Sequence, residues 1–347
     1  MHGLFYPPKP RPGDRVAVLS PSAGLPAIFP GVYEQGLGRL RDELDLRPVE
    51  FPTTRTMNAD PRARAADIHA AFADPTITAV LATIGGDDEI TVLRHLDAEL
   101  LRANPKPFFG FSDNTNLLTV LFDAGVVGYH GGSVMVHLGR GGGTNPVHLE
   151  SLRAALFTHE WYELAPAADY SDEPIGWADP AGLSNPPPMW PGTGWTWTGD
   201  TTRVVQAPSW GGNLEVLSWL LQAGKIRDND AYAGDVLLIE TSEELPPAVE
   251  VHRILRNMGE RGLLAVFAAV LVGRAKAADF DKPRTPGQKR AYAQEQRDAV
   301  QRAIGAYNPQ AVVVFDVDFG HTDPQLIIPY GGTVRVDGPA QTVTVRY

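Results

Sequence analysis

The 347-residue chain predicts an α/β protein built on parallel sheets and divided into two domains. Three observations predict it. Short, continuously apolar runs at residues 15–19, 77–84, 236–239, 264–272 and 311–315 have the length of strands covered on both faces. Segments of ten or more residues with helical character separate most of them, which is the spacing of βαβ units. The length itself exceeds what one ordinary core holds.

In order, residues 15–19 form a strand ending in Ser20-Pro21-Ser22-Ala23-Gly24, and a helix over 32–44 leads to an extended segment at 48–51. A helix near 62–72 precedes the strand 77–84, which ends in Gly85-Gly86. A helix over 89–101 follows, then a strand that runs into Ser112, with a further strand at 129–136. Residues 166–200 differ in kind, carrying seven prolines and four tryptophans (Trp177, Trp190, Trp195, Trp197) with little periodicity. They read as the interdomain connection, so the expected division is 1–165, 166–200 and 201–347. Beyond them lie a strand at 204–207 leading to Trp210-Gly211-Gly212-Asn213, a helix 214–222, the strand 236–239, a helix 248–261, the strand 264–272, a helix 288–307 and the strand 311–315. Residues 332–335 and 342–346 close the chain as an antiparallel pair about Asp337-Gly338-Pro339.

Thirty basic against 41 acidic side chains leave a net charge of −11, which disfavours nucleic acid as a partner while leaving room for a local pocket that binds one small anion. The absence of cysteine removes disulfides, zinc thiolates and thiol nucleophiles. No apolar run reaches membrane-spanning length and the N-terminus lacks a signal-peptide pattern, so the expected protein is cytoplasmic with no membrane partner.

Ser112, Glu240 and His321 each sit at or just beyond a strand end, where a cleft could collect all three. Each also has a plainer reading. Ser112 suits a helix N-cap, with Asp113 in the first turn. Glu240 could be a solvated strand end before the next helix, and His321 could be hydrogen-bonded scaffolding. His130, in Tyr129-His130-Gly131-Gly132-Ser133, competes with His321 as a base. The Gly85-Gly86-Asp87-Asp88 turn offers backbone amides to an anion or a developing oxyanion, but no lysine follows as a P-loop requires. Gly139–Gly143 reads as a loop.

Taken together, the stretches 20–22 (SPS), 83–87 (TIGGD), 106–115 (KPFFGFSDNT), 211–214 (GGNL), 238–243 (LIETSE), 272–274 (VGR) and 319–331 (FGHTDPQLIIPYG) resemble the LD-carboxypeptidase family of serine peptidases. That family includes murein tetrapeptide carboxypeptidases and microcin C self-immunity proteins, and the stretches span nearly the whole chain in its order. The resemblance implies Ser112 as nucleophile, Glu240 as orienting carboxylate and His321 as general base. It implies oxyanion donors in the backbone amides of Gly86 and Asp113. It also implies a Rossmann-like or flavodoxin-like N-terminal domain, a smaller C-terminal α/β domain, an active site between them, no metal or organic cofactor, and a homodimer. Ile84-Gly85-Gly86-Asp87 and Glu240-Thr241-Ser242-Glu243 look more like the microcin-immunity branch, which stacks a mid-chain tryptophan on a nucleobase. Gly85, Asp87, Trp177 and Trp190 are therefore the expected substrate-binding residues, with Trp195 and Trp197 as further candidates. The expected substrate is a small peptide or an aminoacyl-nucleotide, with a murein tetrapeptide as the alternative. Two rival readings are a non-catalytic binding protein for a nucleotide or muropeptide and a general esterase. The esterase lacks the last glycine of its G-x-S-x-G elbow, since position 114 is asparagine.

Overall fold

The computed structural model describes residues 4–174 and 176–347. Strand β1 (Arg15–Leu19), helix α1 (Pro30–Asp42), β2 (Arg47–Glu50), α2 (Pro61–Ala73), β3 (Ile77–Ala82), α3 (Ala98–Ala103), β4 (Phe108–Gly110), α4 (Thr115–Asp123), β5 (Gly128–His130) and α5 (Pro146–Phe157) come first. Then follow β6 (Trp161–Leu164), β7 (Asp169–Tyr170), α6 (Pro180–Ser184), β8 (Trp190–Pro191), β9 (Thr196–Gly199), β10 (Val204–Asn213), α7 (Leu214–Gln222), β11 (Val236–Glu240) and α8 (Ala248–Glu260). The last elements are β12 (Ala269–Gly273), α9 (Pro286–Tyr307), β13 (Val312–Val317), β14 (Ile328–Tyr330), β15 (Thr333–Asp337) and β16 (Thr342–Arg346).

Helix starts follow from local chemistry. Proline opens α2, α5 and α9, where a missing N–H costs nothing, and Asp60, Asn145 and Thr285 cap the free amides just inside. At α9 Thr285 and Gln288 cap one another reciprocally.

Two sheets organise the chain. The first has the order β14-β5-β4-β3-β1-β2 and is parallel except for β14. The second has the order β6-β16-β15-β10-β11-β12-β13-β9, with β10 to β13 parallel and antiparallel pairs at both ends. Every residue of β11 and β13 is buried, as expected of strands covered on both faces. The order 2-1-3-4-5 within the first sheet is flavodoxin-like, with its switch point between β1 and β3.

The structure departs from the sequence reading where distant residues intervene. The helix expected over 89–101 breaks into two short 3₁₀ turns and α3. The amide of Glu89 is drawn to Asp113 Oδ2 (2.8 Å), and Asp97 caps a fresh start through the amides of Glu99 and Leu100. The strand expected over 129–136 stops at His130, where the chain turns through Gly131-Gly132 into a π-helical turn at Val134–Leu138. The run 264–272 splits into a 3₁₀ turn and β12. Within 166–200, β9 joins the edge of the second sheet by pairing with β13, and β6, just before, pairs with β16 of the same sheet.

At the seam between the sheets Gly211 has φ +134°, and a Cβ there would lie 2.1 Å from the carbonyl oxygen of Leu238. Gly211→Ala should therefore destabilise the fold by more than about 2 kcal/mol. Gly38, within α1 and with nothing within 4 Å of an added Cβ, gives the control: Gly38→Ala should stabilise by about 0.5–1 kcal/mol. Denaturant melts of both variants check the pair.

Candidate active site

Ser112 follows β4 by one residue and opens a 3₁₀ turn, Ser112–Asn114, that runs into α4. Its φ is +62°, left-handed and unusual for a residue with a side chain. A serine held so on a strand-to-helix turn projects its hydroxyl clear of both elements. The turn is braced from below. Asn114 Nδ2 donates to the carbonyls of Ile84 (3.1 Å) and Phe111 (3.0 Å), and Asn116 Nδ2 donates to Asp113 Oδ1 (2.8 Å).

The carboxylate of Asp113 faces away from the cleft and ties three loops together. It accepts from Ser22 Oγ (2.5 Å) after β1 and from the amide of Glu89 after β3. Burial raises its affinity for a proton, against the pull of these hydrogen bonds. Glu89, wholly buried beside it, is raised well above the usual range, by burial first and by Asp113 second. The backbone amide of Asp113 precedes the first intrahelical bond and is free by position. Gly85 packs so closely on the turn that a Cβ would sit 2.8 Å from Ser112 Cβ and 3.3 Å from the Asp113 nitrogen. Gly86 stands next to it in the cleft wall.

The second sheet brings the other two groups. Glu240 is the last residue of β11, 2% exposed, and the chain is pared to glycine on two sides of it. A Cβ on Gly320 would fall 2.7 Å from Glu240 Oε2, and one on Gly273 would fall 2.8 Å from its Cβ. His321 leaves the loop after β13 with Nδ1 at 2.6 Å from Glu240 Oε2 and Nε2 at 3.1 Å from Ser112 Oγ. Its loop is held by Gln325, which donates to the Gly320 carbonyl and accepts from the amide of Gly132. Asp318 supports the same loop, accepting from Arg274, Trp195 Nε1 and the Ala167 amide. The structure thus brings Ser112, Glu240 and His321 together in line, an arrangement able to pass a proton from a hydroxyl to an imidazole.

One partner was not legible in the sequence. Glu243, three residues past Glu240, places Oε2 3.0 Å from the same His321 Nε2. Burial alone would lower the proton affinity of His321, but Glu240 and Glu243 outweigh it and push the ring up to about 10. Burial pulls Glu240 the other way, yet the His321 cation holds it below its ordinary range. His130 is buried against Phe111 and Phe319, makes no hydrogen bond among the described residues, and is pushed down to about 4 by burial. It therefore stands behind the site without reaching Ser112.

A cavity of about 240 Å³ opens over Ser112 and His321, walled by Gly85, Gly86, Trp177, Glu243, Lys276 and Phe280 among others. Of the four mid-chain tryptophans only Trp177 lines it, edge-on to Phe29 at 5.6 Å. Trp190 is 42% exposed on β8, with the Lys289 ammonium 5.9 Å from its ring. Trp195 is engaged with Asp318, and Trp197 lies on β9 opposite Val314. Asp87 is exposed and outside the cavity wall. Among the described residues no group of three or more His, Cys, Asp or Glu is placed to hold a metal ion, and no helix is long and apolar enough to cross a membrane.

The family model of the LD-carboxypeptidase N-terminal domain matches residues 16–131, and that of the LD-carboxypeptidase C-terminal domain matches residues 206–336. The murein tetrapeptide carboxypeptidase of Pseudomonas aeruginosa is 28% identical over 335 residues, 93% of each chain. The microcin C7 self-immunity protein MccF of Escherichia coli is 24% identical over 290 residues, 81% of this chain and 77% of its own. In fold, the chain is similar to the MccF-like protein from Streptococcus pneumoniae solved in complex with AMP, with a TM-score of 0.83 at 24% identity, covering 96% of this chain and 99% of that one. With both domains matched in order along its length, the chain belongs to the LD-carboxypeptidase family.

Proposed function

We propose that the protein is a serine carboxypeptidase-type hydrolase in which Ser112 attacks, His321 carries the proton and Glu240 orients and charges the ring. The observation that carries this reading is the line from Ser112 Oγ through His321 to Glu240 at 3.1 and 2.6 Å, beginning at a serine whose backbone is left-handed. Serine is a weak nucleophile until a base takes its proton, and the base needs its other nitrogen fixed.

With Nδ1–H donated to Glu240, neutral His321 offers the Nε2 lone pair to the Ser112 hydroxyl. Oγ attacks the carbonyl carbon as its proton passes to Nε2, and the carbonyl oxygen gains the charge. The amides of Gly86 and Asp113 are the donors proposed to receive it, pre-positioned with no reorganisation to make. Collapse breaks the carbonyl–nitrogen bond, and the imidazolium gives its proton to the leaving amine. Water then adds to the acyl-serine through the same base, releasing the acid and restoring Ser112.

Trp177 favours an aminoacyl-nucleotide as substrate, because a flat aromatic wall beside Ser112 can stack on a base. The complex of the S. pneumoniae relative with AMP lends support. The murein tetrapeptide is the second reading, carried by the P. aeruginosa relative.

Ser112→Ala should reduce kcat/KM by several powers of ten with an unchanged circular dichroism spectrum; turnover near that of the wild type would remove Ser112 from the mechanism. Ser112→Gly should be equally inactive yet melt higher, by about 0.5–1 kcal/mol, since glycine relieves the left-handed strain. Trp177→Ala separates the substrates. It should raise KM for an aminoacyl-sulfamoyl adenosine at least about tenfold, the loss expected for one base–aromatic stack. Cleavage of an L,D-linked murein tetrapeptide should be much less affected, with products of both substrates read by mass spectrometry.

A further inference from the structure

His321 Nε2 has one position for a proton or a lone pair but two oxygen neighbours, Ser112 Oγ at 3.1 Å and Glu243 Oε2 at 3.0 Å. Nδ1 is committed to donating to Glu240. If the ring were neutral, Nε2 would present its lone pair. That pair can accept from the serine, but it repels a carboxylate held at 3.0 Å. Only the imidazolium satisfies all the neighbours, donating to Glu240 on one side and to Glu243 on the other. In that form it cannot take a proton from Ser112. We propose that Glu243 is a positioning residue that clamps His321 in its protonated form, and that turnover requires its carboxylate to leave Nε2.

The surroundings supply the means. The neighbouring Ser242 is anchored, its amide and hydroxyl both bonded to Glu215 Oε1. The Glu243 side chain itself is 54% exposed over the cleft, and His321 is the one basic group within ion-pair distance of it among the described residues. Lys276 lines the same cleft, donates to the Glu173 carbonyl at 3.3 Å, and has no carboxylate within 4 Å among the described residues. It is the cation available to a released Glu243.

The remaining groups around the ring do not compete for the proton. His130 at the end of β5 and His137 in the π-helical turn are both held neutral by burial, and Arg140 and Asp323 neutralise one another at 2.7 Å. Asp279, further along the cleft wall, lies on the Lys276 side. His321 is thus the group both carboxylates bond directly, and a ring raised to about 10 becomes a base only as the pH climbs toward that value or as Glu243 departs.

The clamp rests on His321 being the base, and the two assignments fail separately. Nitrogen-15 NMR titration of histidine, in the Ser112→Ala background where no turnover occurs, should show the His321 imidazolium persisting well above pH 7. Adding Glu243→Gln or Glu243→Ala should lower its midpoint by at least about one pH unit. With Ser112 restored, the same substitutions should move the acid limb of kcat/KM down by a matching amount, so that activity on the acid side rises about tenfold. An unchanged His321 midpoint in both variants overturns the clamp. So does activity lost equally at every pH, which would make Glu243 a substrate contact instead. Turnover by Ser112→Ala would overturn the hydrolase reading while leaving the titration result standing.

Discussion

The site exists only because the segment carrying His321 is stitched into the sheet carrying Ser112. After β13 the chain leaves the second sheet, presents His321, and seven residues later enters the first sheet as β14. There Ile328 pairs with His130 of β5, and Gly110 of β4 pairs with the same His130 from the other side. Ser112 and the return path of His321 are thus two hydrogen-bonded strands apart in one sheet. Between them Gln325 spans from the His321 loop to Gly132, and the Leu326 amide donates to the Asp318 carbonyl at 2.6 Å. Glu240 alone depends wholly on the second sheet. Its distance to the others is set where Asn213 and Thr115 meet, the amide of one bonded to the hydroxyl of the other at 3.2 Å. Side-chain geometry on the scale of tenths of an ångström is therefore fixed by backbone pairing, which is stiffer than any loop.

Holding Ser112 in place costs free energy locally. A left-handed backbone at a non-glycine residue is worth about 1–2 kcal/mol of strain, and two acids, Asp113 and Glu89, are buried directly behind it. The return is a turn braced by side-chain hydrogen bonds on its buried side while its cleft side stays open. Asp113 spends both carboxylate oxygens on Ser22, Asn116 and the Glu89 amide, while its own amide stays available. Preorganised donors of this kind need no rearrangement as charge develops on a carbonyl oxygen.

What could be read from the sequence follows the range of the forces involved. Strands β11, β12 and β13 were legible because a strand buried on both faces must be apolar throughout, and α2 and α9 were legible as helical spacers between strands, whereas α5 was passed over. Ser112, Glu240 and His321 were legible as strand-end residues. Residues 89–101 were misread as one helix because the competitor for the Glu89 amide, Asp113, is 24 positions away. Strand β9 was hidden among prolines because its partner β13 lies more than a hundred residues on. Nothing local distinguishes Trp177 from Trp190, whose places depend on which surface each loop meets. Glu243 was invisible for the same reason: a glutamate after a strand reads as solvated until an imidazole is known to stand beside it.

The position of the cleft has a topological cause. In an open parallel sheet, neighbouring crossovers on opposite faces leave a crevice beyond the carboxyl ends of the strands where the order reverses, here between β1 and β3. The loop after β1 supplies Ser22 and Ala23, the loop after β3 supplies Gly85 and Gly86, and β4 beside them delivers Ser112. A sheet alone would offer this crevice backbone amides and little else, which suits an anion but not bond cleavage. His321 and Glu240 come from the second sheet, across the open side of the crevice. A molecule lying between the two would face the amides of the first sheet on one side and the charges of the second on the other. That convergence is why a carboxylate such as Glu243, on the second-sheet side, comes within 3.0 Å of the same His321 nitrogen that faces Ser112 on the first.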